Sequence, residues 1–202
     1  MSFMQSQTCV NLAKSFAGES QARNRYTIYA AQARKEGHEY LARIFDETAD
    51  NEKIHAEEFL EKLQKYGQQP IENIDICAGF PYALGMTMEN LLHASRGENE
   101  EHTDVYPAFA AIAREEGYAD VAVLWEQIAV VEGVHRDVFY QAYEQLQTGS
   151  LYKKDRPVVW RCLNCGHVIR ANEPWKICPI CSKEQGWVEG DILKKRLPSD
   201  SQ

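Results

Sequence analysis

Glu132-Gly133-Val134-His135 repeats the spacing of Glu52-Lys53-Ile54-His55, eighty residues upstream. The same offset relates Tyr26 to Tyr106, Ala33 to Ala113, Arg34 to Arg114, Gly37 to Gly117, Ala42 to Ala122 and Phe59 to Phe139. This is an internal duplication. On a helix, residues three apart lie on one face about 5–6 Å from each other, so each Glu-x-x-His aims a carboxylate and an imidazole at one point. Two such points facing each other make a metal site.

Outward from these motifs, residues from about 5 to 148 read as four long helices in two hairpins. Apolar residues recur at three and four spacing: Cys9, Leu12, Phe16, Tyr26, Ala30 and Ala33 in the first helix, then Leu41, Phe45, Phe59 and Leu63 in the second. The third, from about Thr87, turns Leu91, Ala94, Val105, Ala108 and Ile112 inward; the fourth turns in Val121, Trp125, Ile128, Phe139 and Tyr143. Gly37 and Gly117 mark tight turns, so each pair is expected to be an antiparallel hairpin. Between the hairpins, Gly67, Pro70, Gly79, Pro81 and Gly85 exclude a helix. A long connection there suits a bundle whose second and third helices run parallel, the crossover of ferritin-like folds.

Five carboxylates, Glu19, Glu52, Glu98, Glu101 and Glu132, interrupt the apolar stripes. Burying an ionised carboxylate without a partner is costly, so something positive belongs between them. For one Glu alone, a neighbouring Arg or Tyr would suffice; five with two histidines in register point to metal. One Glu from each of two helices plus Glu-x-x-His from each of the other two is the donor set of di-iron and di-manganese carboxylate bundles. Oxygen-rich ligation favours iron or manganese over zinc or copper. Glu52 and Glu132 are expected to bridge two metals, with Glu19 and Glu98 each capping one.

Glu101 exceeds the minimal set. Four carboxylates balance two ferrous ions, and a fifth favours the ferric pair while neutral His55 serves the reduced one. The expectation is a ligand switch; the alternative is that Glu101, between Glu100 and His102, faces solvent. Tyr26 and Tyr106 are by default core aromatics, and as phenols beside carboxylates they could also orient them and donate protons. Glu19 to Tyr26 is seven residues but Glu98 to Tyr106 is eight. The extra residue predicts a π-bulge, and Pro107 supports irregularity there.

After Thr148-Gly149-Ser150 and the basic hinge Lys153-Lys154-Asp155-Arg156-Pro157 the pattern changes. The domains read as 1–149 and 157–202. The second is too small for a good core without a staple. Cys162-Leu163-Asn164-Cys165 and Cys178-Pro179-Ile180-Cys181 supply one as a four-thiolate metal site. Zinc there would be redox-inert and a single iron would carry one electron. Trp160, Trp175 and Trp187 are expected to pack around it. Cys9 and Cys77 read as ordinary thiols, and His38, His93, His102 and His167 as structural or surface residues.

A net charge of −8 over 202 residues offers no electrostatic footprint for nucleic acid or an anionic membrane, and the short runs Lys153-Lys154 and Lys194-Lys195-Arg196 do not reverse that. The opening Met1-Ser2-Phe3-Met4-Gln5 lacks a basic region followed by an apolar run, and no stretch approaches the roughly 18 apolar residues of a membrane span. The expectation is a soluble, cytoplasmic protein in a reducing compartment.

The chain resembles the rubrerythrins over nearly its whole length. The resemblance rests on Gly18-Glu19-Ser20-Gln21-Ala22-Arg23, Glu52-x-x-His55, Gly97-Glu98 with Glu101 and Tyr106-Pro107, Glu132-x-x-His135 and both cysteine knuckles. It implies an all-α four-helix ferritin-like bundle holding a di-iron centre, followed by a small rubredoxin-like β domain holding one iron on Cys162, Cys165, Cys178 and Cys181. It implies a peroxidase of oxidative-stress defence that reduces hydrogen peroxide to water. Electrons would come from NAD(P)H through a separate reductase and sometimes a free rubredoxin. It also implies that Glu101 and His55 exchange at one iron. Gly133-Val134 departs from the polar pair usual inside that motif. From His135 to the end of the fourth helix is about 12 residues, roughly 18 Å at 1.5 Å per residue. A domain at the bundle's end would therefore serve a partner's metal pair better than its own, and a head-to-tail homodimer is expected. Two rival functions share the pattern: an iron-oxidising or storage protein, and a zinc-holding scaffold.

Overall fold

The computed structural model describes residues 2–68 and 70–190; the run Lys194-Lys195-Arg196 lies outside the described residues, as does the end of the second domain. The chain forms α1 (Gln7–Lys35), α2 (Glu39–Gly67), α3 (Thr87–Glu100), a π-helical turn (Glu101–Val105), α4 (Tyr106–Glu115) and α5 (Ala119–Gln147). α1 packs on α2, and α3 with α4 packs on α5, giving two hairpins. No helix among the described residues is long and apolar enough to cross a membrane.

Both hairpin turns close in the same way. Gly37 and Gly117 adopt φ of +79° and +89°, a left-handed conformation that costs glycine nothing. The amide of His38 donates to Ala33 O at 2.8 Å and that of Tyr118 to Ala113 O at 2.7 Å, the long backward bond of a helix-ending turn. The residue before each glycine caps the opposite hairpin. Glu116 accepts from the amides of Gln7 and Thr8 at the start of α1, and Glu36 from the amide of Thr87 at the start of α3. A carboxylate there satisfies otherwise orphaned amides and the positive end of the helix.

The predicted π-bulge is present, with the Tyr106 amide reaching back five residues to Glu101 O. Its effect on α4 departs from the expected stripe. Tyr106, Ala110 and Ala113 are the buried positions, whereas Ala108 is exposed and Val105 and Ile112 are only half-buried. An inserted residue rotates everything after it by about 100°, so the inward positions move on by one or two.

Two apolar clusters flank the level of the glutamates. One, at the end away from the hairpin turn of α1 and α2, contains Leu12, Phe59, Leu63, Tyr106 and Trp125. The other contains Tyr26, Tyr29, Leu41, Phe45 and Phe139 and continues into the small domain through Leu151, Trp160 and Val188. That domain is a three-stranded antiparallel sheet of β1 (Val158–Cys162), β2 (Val168–Ala171) and β3 (Val188–Glu189) in the order β2-β1-β3. It seats on the Gly37 turn so closely that a Cβ on Gly186 would lie 1.6 Å from Gly37 O. Trp160 thus joins the bundle core, Trp187 lies against Arg43 of α2 and Lys183, and Trp175 stacks on His167 at 4.8 Å.

Candidate metal centres

At mid-bundle the stripes bring six donors together. Glu19, Glu52, His55 and Glu132 form one group with ligand atoms within 4.8 Å of one another, and Glu52, Glu98, Glu132 and His135 form a second. Glu52 and Glu132 belong to both, the arrangement expected of bridging carboxylates. His55 Nδ1 lies 2.8 Å from Glu52 Oε2 and 3.0 Å from Glu132 Oε1; His135 Nδ1 lies 2.8 Å from Glu132 Oε2 and 3.2 Å from Glu52 Oε1. The two halves thus meet about an approximate twofold axis, each imidazole turning the same nitrogen to the shared carboxylates.

All six residues are buried, and Glu19, Glu52, Glu98 and Glu132 each leave one oxygen without a hydrogen-bond partner. Four such oxygens beside two imidazoles suit two hard, divalent cations. Burial first, then the charges of Glu52 and Glu132, raise Glu19 well above the ordinary carboxylate range, and burial with the Glu52 charge pushes Glu98 up to about 8. Burial also acts against charge on Glu132 and His55, but their close approach to each other and the contacts of Glu132 with His135 and of His55 with Glu52 prevail, placing Glu132 at about 2 and His55 at about 9. His135 is likewise raised well above its ordinary value, its bonds to Glu132 and Glu52 outweighing burial.

These directions fix how the metal-free protein responds to pH. A group whose folded pKa is raised adds stability below its unfolded pKa and loses it as pH climbs through the folded value. Glu19, Glu98, His55 and His135 all have that sign, and Glu132, with the opposite sign, acts only in acid. Metal-free protein is therefore expected to melt at progressively lower temperature from pH 5 to 9, and metal-loaded protein to lack that fall. A metal-free melting profile that is flat or rises across this range contradicts the account.

The phenols pair across the hairpins. Tyr26 of α1 donates to Glu98 Oε1 of α3, and Tyr106 of α4 donates to Glu19 Oε1 of α1. Sequence proximity suggested only that each tyrosine lay near the glutamates. Burial, then the carboxylate each one faces, raises both phenols well above their ordinary value, so they remain neutral donors.

Glu101 belongs to neither donor group. It sits half-buried on the π turn and lines a cavity of about 190 Å³ with Arg25, Gln21, Phe80 and Tyr106. Arg25 leaves Nε and Nη1 unpartnered. Burial and the charges of Glu98, Glu132 and Glu52 raise Glu101 well above the usual range, with Arg25 opposing.

Asn51 escaped the sequence reading, and His102, read there as a structural or surface residue, takes a structural place. Asn51 Oδ1 lies 3.2 Å from His135 Nε2, on the side of the ring away from the carboxylates. His102, on the π turn, places Nδ1 2.6 Å from Ala129 O and lays its ring over Gly133, where a Cβ would be 2.9 Å from Cε1. The unusual glycine in Glu132-Gly133-Val134-His135 is thereby accounted for. Gly133→Ala is expected to destabilise by about 1–3 kcal/mol through overpacking. In a His102→Ala background it is expected to stabilise by up to about 1 kcal/mol through helix propensity. A double-mutant cycle by thermal melting reads the difference, and additivity would refute the contact.

In the small domain, Cys162, Cys165, Cys178 and Cys181 gather within 4.8 Å of one another. Cys162 Sγ to Cys181 Sγ and Cys165 Sγ to Cys178 Sγ are both 3.6 Å. Disulfide sulfurs lie at about 2.05 Å; a tetrahedron with metal–sulfur bonds of about 2.3 Å requires roughly 3.8 Å between sulfurs. The spacing is that of a metal site. Hydrogen bonds from Asn164 and the Lys183 backbone hold the Cys181 thiol down at about 6, favouring thiolate.

Comparison with known proteins agrees with both centres. Residues 11–150 match the family model for rubrerythrin, and 160–186 match that for the rubrerythrin rubredoxin-like domain. The chain is 43% identical to a rubrerythrin of Porphyromonas gingivalis, covering 91% of this chain and 90% of that one. It is 33% identical to nigerythrin of Nitratidesulfovibrio vulgaris, covering 86% of this chain and 81% of that one. A structure of fully reduced, all-ferrous nigerythrin superposes with a TM-score of 0.61 at 27% identity, covering 94% of this chain and 91% of that one. With a di-iron carboxylate site in a ferritin-like bundle and a four-cysteine rubredoxin-like site in one chain, and with matches over both domains, this protein belongs to the rubrerythrin family.

Proposed function

We propose that the protein is a peroxidase that reduces hydrogen peroxide to water with electrons from NAD(P)H, delivered by a separate reductase, or through a free rubredoxin, to the four-thiolate iron. The observation that carries this reading is the presence, in one chain, of a four-cysteine cluster and a buried cluster of carboxylates and imidazoles. An iron-storage protein has no use for a built-in route returning electrons to its oxidising site.

Glu19, Glu52, His55, Glu98, Glu132 and His135 would hold the metal pair, which supplies the two electrons that break the O–O bond; Cys162, Cys165, Cys178 and Cys181 would hold the single iron. The balance is one peroxide, two electrons and two protons to two waters. Tyr26 and Tyr106 keep Glu98 and Glu19 oriented and hold protons at those carboxylates. Peroxide reaches the centre through the cavity at Glu101 and Tyr106, where Arg25 offers free N–H donors. Glu101, supplying a fifth negative charge, would take the place of His55 in holding the oxidised pair. Glu101→Ala is expected to alter the oxidised spectrum and leave the reduced metal content unchanged. An unchanged oxidised spectrum removes the exchange.

In a head-to-tail homodimer, the small domain of one chain serves the metal pair of the other. Mixed dimers of a Cys178→Ser chain with a Glu132→Ala chain are then expected to regain turnover that neither parent shows. Failure of properly formed mixed dimers to do so rules out transfer between chains. For the reaction itself, NADH oxidation by iron-loaded protein with a flavoprotein reductase should consume one NADH per peroxide. Preferential consumption of dioxygen, with iron accumulating well beyond the metal pair and the single iron, would favour iron storage.

A further inference from the structure

The duplication pairs nearly every feature of the bundle centre across its approximate twofold, and one exception falls on the imidazoles. His55 and His135 are almost equally buried, at 8% and 7% exposure, and both face the shared glutamates through Nδ1. Beyond the ring, His135 Nε2 meets Asn51 Oδ1 at 3.2 Å. The position eighty residues after Asn51 is Val131, which cannot accept a hydrogen bond from a ring N–H. Among the described residues, no hydrogen bond holds His55 Nε2.

We propose that Asn51 is a positioning residue that anchors His135 in place, and that Val131, its apolar counterpart, leaves His55 as the imidazole free to move. A histidine bound through one ring nitrogen has its orientation set by the partner of the other. With Nδ1 of each ring turned to the carboxylates, the Nε2–H of His135 also donates to Asn51, so ring rotation at His135 must break a far-side bond that His55 does not have. The inference rests on the exchange of His55 for Glu101 proposed above and supplies what that exchange lacks, a reason why one of two near-equivalent histidines leaves.

Two measurements test it separately. In metal-free protein, nitrogen-15 histidine spectra should show the Nε2–H of His135 exchanging with water roughly tenfold more slowly than that of His55, and Asn51→Val should abolish the difference. Slow exchange that persists in Asn51→Val overturns the anchoring role. The second compares crystal structures of oxidised and reduced iron-loaded wild type with those of Val131→Asn. Wild type should lose the His55 contact to iron on oxidation, while Val131→Asn, supplying the missing acceptor, should keep it. A Val131→Asn protein in which His55 still leaves overturns the proposal even if wild type behaves as expected. If wild type keeps His55 in both oxidation states, the exchange reading fails, and the spectra of the metal-free protein alone decide whether Asn51 anchors His135.

Discussion

Glu132→Ala is expected to empty both metal positions of the bundle while leaving the four-thiolate site loaded. Glu132 and Glu52 are the two residues common to both donor groups, whereas Glu19 and Glu98 each belong to one. Removing Glu132 also takes away the oxygens that His55 Nδ1 and His135 Nδ1 approach at 3.0 and 2.8 Å, so both imidazoles lose a partner that orients them. Loss of an orienting partner alone costs about 10–100-fold in metal affinity, so loss of a shared ligand should cost more than about a hundredfold at each position. Glu98→Ala, by contrast, should spare the position held by Glu19 and His55. Metal analysis per chain distinguishes the two, with the cysteine-bound metal as internal reference. Retention of one bundle metal in Glu132→Ala would show that the carboxylate is not shared.

Cys178→Ser should have an equally large effect, confined to the other centre. The sheet consists of strands of five, four and two residues, too small a unit to hold a good core without a staple. In structural four-ligand sites the metal contributes about 10–16 kcal/mol, which is folding free energy for so small a unit. Hydrogen exchange over residues 158–190 is expected to become fast, and the docked Trp160 should become accessible. The bundle, with its own clusters and metals, should stay folded. Peroxide should then still oxidise the reduced bundle once, while multiple turnover with NADH and reductase falls by at least about a hundredfold. Undiminished turnover would mean that electrons enter the bundle by another route.

Much of this centre was legible because a buried carboxylate is conspicuous in an apolar stripe. Glu19, Glu52, Glu98 and Glu132 all lie where the periodicity put them, and the extra residue between Glu98 and Tyr106 announced the π turn. The consequence of that turn was harder to read: a stripe carried unshifted through an insertion points Ala108 inward, where the structure exposes it. The cross-pairing of Tyr26 with Glu98 and Tyr106 with Glu19 depends on how the hairpins face each other, and no spacing within one helix encodes it. Asn51 was invisible for a related reason. It is exposed on its own helix and acquires a role only from the imidazole brought to it by α5. Glu36 and Glu116 likewise look like solvated charges beside a turn, yet each caps a helix of the other hairpin. The duplication could have flagged that pair, since the two share the same offset.

The most direct test is anaerobic stopped-flow absorbance on fully reduced, iron-loaded protein mixed with hydrogen peroxide or with dioxygen. The account predicts that peroxide oxidises the bundle centre quickly, that the four-thiolate iron turns from colourless to red in step with it, and that dioxygen is much slower at both. Faster oxidation by dioxygen, or a four-thiolate centre that stays colourless after the bundle has been oxidised by peroxide, would contradict it.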